Sequence, residues 1–270
     1  MIEIALCLAI IGFALVSILL VLPSGMNTQR DTREETVISQ DASMLLEAIR
    51  NGERGLDDLT NNVYAITNYW TLYRTNGSIQ GTGVNGYTYN NVTPGLPAPY
   101  ATAPLTNGMI IIGLLSTPEF VANVFIPPFI NYPAVPNLFF AAGQYSAGCY
   151  SNHVVAYIHS MSGLAAEKPP QNNDIMIADD FSYRLFCVNA PMPMDTNLFN
   201  LPAAQRIYAS QLAANQHELR LTFLWPQLPN GHVGPFRQTF RVSVGGQLAA
   251  NHFNGQWLYF YQPRSFTNAP

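Results

Sequence analysis

Nineteen consecutive residues, Ile4 to Leu22, carry no charge, and only Gly12 and Ser17 interrupt their apolar character. A helix rises about 1.5 Å per residue, so the run predicts an unbroken helix long enough to match the roughly 30 Å hydrocarbon core of a bilayer. A removable secretory signal would lead with basic residues. Met1-Ile2-Glu3 supplies an acid instead, so the segment is expected to be retained. Pro23-Ser24-Gly25 predicts its end, ahead of the polar, mixed-charge run Asn27 to Glu35. Glu3 adds a second constraint. A carboxylate at the head of a buried helix is costly unless a cation meets it, whereas in a headgroup layer it is mildly favourable at a helix N-terminus.

The run Met1-Ile2-Glu3-Ile4-Ala5-Leu6, followed by Leu8-Ala9-Ile10-Ile11-Gly12-Phe13-Ala14-Leu15-Val16, resembles the N-terminal helix of type IV pilins and pseudopilins. In that family a leader is cut after a glycine and the new N-terminal residue is N-methylated. A glutamate follows at the fifth mature position, with a helix-loosening glycine nine residues beyond it. Glu3 and Gly12 have that same separation of nine. Glu3 stands two positions earlier than the family's glutamate, which makes Met1 the third mature residue; Pro23 lies eleven residues after Gly12, where the family's proline usually lies eight after.

The resemblance covers about the first 25 residues. It implies a structural subunit of an extracellular type IV pilus-like filament, a homopolymer assembled through Glu3, Ile4, Leu8, Ile11, Gly12, Leu15 and Pro23. Glu3 would neutralise the N-terminal ammonium of a neighbouring copy. The implied partners are further copies of the chain, a prepilin peptidase, the pilus assembly machinery, and the inner membrane before assembly. Two alternatives stay open: a minor pseudopilin of a secretion or uptake machine, and a membrane-anchored binding protein or adhesin that never polymerises.

Composition narrows the remaining classes. Hydrophobic residues at 48% exclude intrinsic disorder, because the chain can bury enough apolar surface to fold. Net charge is −4, with one lysine (Lys168) and eleven arginines, so nucleic acid is not an expected partner: phosphates call for a dense basic face. Between Leu59 and Ala166 only Arg74 and Glu119 are charged. A surface of that kind has little charge repulsion to keep copies apart.

Helical spacing of Val37, Met44, Leu45 and Ile49 extends the helix to Arg50, with Asn51-Gly52 as its stop. The predicted division is a helix over 1–52, with 1–23 as its membrane or filament-core part, and a globular head over 53–270. Leu56 to Tyr73 reads as a second amphipathic helix, 76–108 as loop or irregular β structure, and Ser116 to Pro127 as holding a short helix. Strands are expected at Met109–Leu115, His153–His159, Ser182–Val188, Glu218–Trp225, Phe236–Val244 and Gln256–Gln262, and a helix over Pro202–Gln216. The predicted fold class is α+β: a long N-terminal hydrophobic helix packed on an antiparallel, β-rich head.

The chain offers little catalytic vocabulary. There is no GxSxG, phosphate loop or GxGxxG, and His217-Glu218 lacks the second histidine of a zinc-protease helix. Ser160-Met161-Ser162-Gly163 beside His159 lacks the strand–turn–helix context of a nucleophile. No enzyme activity is expected. His153 and His159, six apart on a strand, would lie about 20 Å from one another, too far for one metal. Asp174, Asp179 and Asp180 offer oxygen ligands of the type calcium takes, but their spacing matches no EF-hand; no cofactor is expected, and calcium is the one candidate. Cys149 and Cys187 are positioned in or near strands and are a candidate disulfide in an oxidising compartment. Asn76-Gly77-Ser78 and Asn91-Val92-Thr93 fit the N-glycosylation pattern, which also arises by chance.

Overall fold

A computed structural model of the chain describes residues 2–52, 59–74, 78–88, 103–126, 130–134, 149–162, 181–191, 202–228, 231–253 and 256–266. The first element is helix α1, Ile2–Asn51, of 50 residues. It continues across Pro23-Ser24-Gly25, where the uncharged segment ends. Proline there removes one backbone donor without ending the helix. The stop comes at Gly52, whose φ of +57° is the left-handed conformation glycine adopts without steric cost, and whose N–H donates to the Ile49 carbonyl.

Beyond α1 the described chain is dominated by strands. A short helix α2 (Leu59–Asn62) leads into β1 (Val63–Tyr73), followed by β2 (Ile79–Thr88) and β3 (Ala103–Pro104). Helix α3 (Gly108–Leu115) precedes β4 (Phe120–Ile126), β5 (Ile130–Ala134), β6 (Cys149–His159) and β7 (Ser182–Pro191). Helix α4 (Ala203–Asn215) then leads to β8 (Gln216–Gln227), β9 (Val233–Gly245), β10 (Gln247–Phe253) and β11 (Gln256–Gln262). Nine strands form one sheet in the order β3-β2-β1-β6-β7-β8-β9, with β4 joined to β6 and β5. Every pairing in it is antiparallel except β2 with β3. β10 and β11 form a separate antiparallel ribbon.

The α+β expectation is therefore corrected. The structure is mostly antiparallel β-sheet, and no helix among the described residues is long and apolar enough to cross a membrane. α1 as a whole is mixed in character: after its apolar opening it carries Arg30, Asp31, Arg33, Glu34, Glu35, Asp41, Glu47 and Arg50.

Three local expectations also fail, at β1, α3 and β4, while the stretch expected to be loop or irregular β structure holds β2. The stretch expected to be a second helix is β1 from Val63 onward, where β-branched and aromatic residues (Val63, Tyr64, Ile66, Thr67, Tyr69, Trp70) favour a pleated strand. The glycine-rich stretch after it is β2, in register with β1 from Ala65↔Thr88 to Tyr73↔Ile79. Met109–Leu115 is helix α3 rather than a strand, because the Asn107 side chain accepts from the Ile110 N–H and caps it. The short helix expected after Ser116 is strand β4.

One face of the sheet carries the core. Leu219, Leu221, Phe223 and Trp225 of β8 alternate inward, joined by Tyr183, Leu185 and Cys187 of β7 and by Val154, Ala156 and Ile158 of β6. On this face lie Ile38, Ala42, Leu45 and Ile49 of α1, the apolar residues of α3, and Leu258, Phe260 and Tyr261 of β11. Of the expected stripe on α1, Leu45 and Ile49 are fully buried, whereas Val37 is half-buried beside the fully buried Ile38, and Met44 is 44% exposed.

Candidate assembly surface

The two halves of α1 meet different surroundings. From Glu34 to Ile49 the stripe Glu34, Ile38, Asp41, Ala42, Leu45, Ala48 and Ile49 is buried at spacings of three and four residues. At the other end Ile4, Ile10, Ile11, Phe13, Leu15 and Val16 are all exposed, Phe13 by 78%. Nothing in the described chain covers them. A Cβ at Gly12 would meet no atom within 4 Å, so the helix there is bare on the glycine side also. Glu3 and Cys7 are exposed on the same segment. Large aliphatic and aromatic side chains presented this densely mark a surface made to be covered.

Of the residues the sequence singled out for assembly, Glu3, Ile4, Ile11, Gly12 and Leu15 thus share one exposed helical segment. The side chains of Leu8 and Pro23 lie outside the described residues. Hydroxyls along the middle of α1 satisfy the helix's own carbonyls: Thr32 donates to Thr28, Thr36 to Thr32, Ser39 to Glu35 and Ser43 to Ser39. These bonds leave the middle of the helix polar without needing outside partners.

What fixes the helix to the sheet is a residue the sequence reasoning missed. Asp41 is fully buried in the middle of the apolar stripe. Its carboxylate accepts from the Met161 N–H at 3.0 Å, the Ser162 hydroxyl at 2.5 Å and the Tyr183 hydroxyl at 2.9 Å. The Ser162 hydroxyl also reaches the Val37 carbonyl at 3.3 Å. Burial pushes the Tyr183 phenol well above its ordinary range, and the neighbouring Asp41 carboxylate adds to this. The Tyr183 proton is therefore held in the bond to Asp41. An acid one helical turn after Ile38 and one before Leu45 was the available signal.

The other candidates do not gather into a site. His217 is buried on β8 with its ring edge-on to Tyr261 at 5.6 Å, and Ser160 donates to the Ser162 carbonyl. His159 Nδ1 lies 2.8 Å from the Ser182 hydroxyl as a cross-strand neighbour, with the Tyr64 ring 4.7 Å from its own. His153 and His159 sit on β6 with the expected spacing, and no metal-binding group of His, Cys, Asp or Glu occurs among the described residues.

The disulfide expectation is corrected. Cys187 is a free, buried thiol that donates to the Leu115 carbonyl at 3.0 Å. It pairs with Val154 on β6, five positions from Cys149, a separation of about 16 Å along a strand. Asn76, Asn91, Asp174, Asp179 and Asp180 lie outside the described residues.

Comparison with known protein families, curated proteins and solved structures finds no match to this chain. The described residues present an uncovered apolar helical segment joined to the head through a buried carboxylate.

Proposed function

We propose that the chain is the structural subunit of an extracellular type IV pilus-like filament, a homopolymer held together by the exposed opening segment of α1. One observation carries this reading. Six large apolar side chains between Ile4 and Val16 stand exposed on a helix whose continuation is firmly packed into the head. Burying each of them against other copies is worth roughly 1.5–3 kcal/mol, ample to drive polymerisation. Glu3, exposed at the head of that segment, offers its carboxylate to a cationic group on a neighbouring copy. Processing by a prepilin peptidase and handling by pilus assembly machinery belong to the same proposal. A second reading, a minor pseudopilin of a secretion or uptake machine, is favoured by the size of the head, residues 53–270.

The test is Glu3→Ala in the full chain, with filaments sheared from the cell surface and examined by electron microscopy and sedimentation. Assembly is expected to be lost while the melting temperature of the head stays unchanged. Normal filaments from the variant would overturn Glu3's role, and failure of the unaltered chain to polymerise would overturn the reading itself.

A further inference from the structure

Arginines on β7, β8 and β9 divide by whether an acid meets them. Arg220 lies 3.5 Å from both Glu119 and Glu218, and Arg241 lies 3.9 Å from Glu218. Arg237 has no ion pair among the described residues, but it is exposed on β9, where water solvates its charge. Arg184 is different. It stands part-buried on β7, between β6 and β8, and no acid is paired with it among the described residues. A cation taken from water without a counter-ion carries a desolvation cost. Two neutral groups hold it in place all the same. Its Nη2 donates to the Gly231 carbonyl at 2.7 Å, and its guanidinium carbon lies 5.0 Å from the centre of the Tyr157 ring. A carbonyl and an aromatic face attract the charge without neutralising it.

Strand register puts this group on the face opposite to α1. Arg184 alternates with the core residues Tyr183 and Leu185, and its β6 partner Tyr157 alternates with Ala156 and Ile158. On that outer face Ala65, Val155 and Tyr157 form a second, small apolar cluster, with Tyr64 and Phe186 packed against it. The Tyr64 ring lies 6.0 Å from that of Tyr157 and 4.7 Å from that of His159, whose Nδ1 is 2.8 Å from the Ser182 hydroxyl. The polar groups gathered around the cluster are thus a guanidinium, two phenols, an imidazole and a hydroxyl. Burial pushes the Tyr64 phenol up to about 12 and raises that of Tyr157, while the Arg184 charge acts on both in the opposite sense. Tyr64 therefore keeps its proton at neutral pH and stays a donor close to the guanidinium.

We infer that Arg184 and Tyr64, beside His159, form a binding site for a phosphoryl group on the outer face of the sheet. A guanidinium carries five N–H donors in a planar fork, and one contact to Gly231 leaves most of them for a ligand. The fork matches two oxygens of a phosphate, and a third oxygen is left to accept from the Tyr64 hydroxyl. A carboxylate has only two oxygens, which the fork alone would occupy. The apolar cluster beneath lowers the local dielectric, so the attraction is stronger than at an exposed arginine such as Arg237. The bound anion supplies the counter-charge that Arg184 lacks among the described residues. The site belongs to the head and needs neither the opening segment of α1 nor a second copy.

The experiment titrates inorganic phosphate into the full chain by calorimetry at about 0.15 M sodium chloride, where diffuse surface attraction is screened. Saturable binding is expected, with acetate binding more weakly. Tyr64→Phe removes one hydroxyl and is expected to weaken phosphate about tenfold, as befits a hydrogen bond to a charged group. Arg184→Gln should weaken it by more than that, and Arg184→Lys, which keeps the charge but not the fork, should not restore it. Arg237→Gln, on the same face, should leave it unchanged. Urea unfolding checks that each variant is folded; should Arg184→Gln fail to fold, Tyr64→Phe and Arg184→Lys carry the test. Glycerol phosphate separates the sources of the group. Binding of both compounds identifies a terminal phosphoryl group on a larger molecule as an accepted ligand, and binding of inorganic phosphate alone identifies the free ion. No saturable binding of either, acetate bound as tightly as phosphate, or equal losses in Arg237→Gln and Arg184→Gln would overturn the inference.

Discussion

The two halves of α1 share one backbone geometry, yet their large apolar side chains stand in opposite situations. Ile38, Leu45 and Ile49 have no exposure at all, whereas Ile4, Ile10 and Ile11 are 55–66% exposed. The second half is therefore held by the sheet, since packing of an amphipathic face, more than propensity, stabilises most helices. In the first half, Ile4, Ile10, Ile11, Phe13, Leu15 and Val16 gain little from burial within the isolated chain. The difference separates two tasks in one element: the later turns attach the helix to the head, and the earlier turns hold apolar surface in reserve for another molecule.

Breaking the attached half has the largest expected effect. Asp41→Ala removes an acceptor shared by Met161 N–H, the Ser162 hydroxyl and the Tyr183 hydroxyl. Each buried donor left unpaired costs about 1–3 kcal/mol, so a total destabilisation of about 3–5 kcal/mol is expected in chemical denaturation. Asp41→Asn keeps an acceptor oxygen and should lose less. If Asp41→Ala unfolds at the same denaturant concentration as the parent, the carboxylate is not what holds the helix to the sheet.

Alkali sharpens the same contrast, because the first half of α1 contains no tyrosine and the head contains several buried ones. Burial, with a smaller contribution from Tyr157, pushes the Tyr64 phenol up to about 12, and burial moves Tyr183 and Tyr261 in the same direction. The native state then keeps protons that the unfolded chain releases near pH 10. The stabilisation is fully present below pH 10 and is lost as pH rises toward 12, by about 3 kcal/mol for Tyr64 alone. Urea unfolding between pH 8 and 12 should show this decline. Tyr64→Phe should flatten part of it, and an equally steep decline in that variant would remove Tyr64 from the account.

How much of this was legible in the sequence depended on whether the signal was local. The β8–β9 hairpin was visible because Leu219, Leu221 and Phe223 alternate strictly with Arg220 and Thr222, a period that only a one-sided strand satisfies. β1 was misread as a helix because Leu59, Val63, Ile66 and Trp70 also fall at helical spacing; its partners are β2 and, some ninety residues away, β6, and that pairing decides its state. α3 was misread as a strand because it is buried on nearly every side, and a short apolar run then carries no period. Asp41 looked like one acid among many in a charged stretch. Its meaning comes from Met161, Ser162 and Tyr183, more than a hundred residues later.

The smallest predicted effect bears on the free half. Glycine in a helix interior costs roughly 1 kcal/mol relative to alanine. In the isolated subunit a Cβ at Gly12 meets open space, so Gly12→Ala should add about that much local helix stability, visible as slower amide exchange across residues 8–16. Its effect on assembly then distinguishes two uses of the glycine. If Gly12 serves only to loosen the helix, filaments of the variant should form at the same critical concentration or a lower one, since the helix enters the polymer already ordered. If a neighbouring helix approaches its backbone there, the added methyl group will raise the critical concentration despite the stiffer monomer. Opposite signs in the two measurements would place Gly12 inside the subunit contact. Matching signs would confine its role to the helix alone.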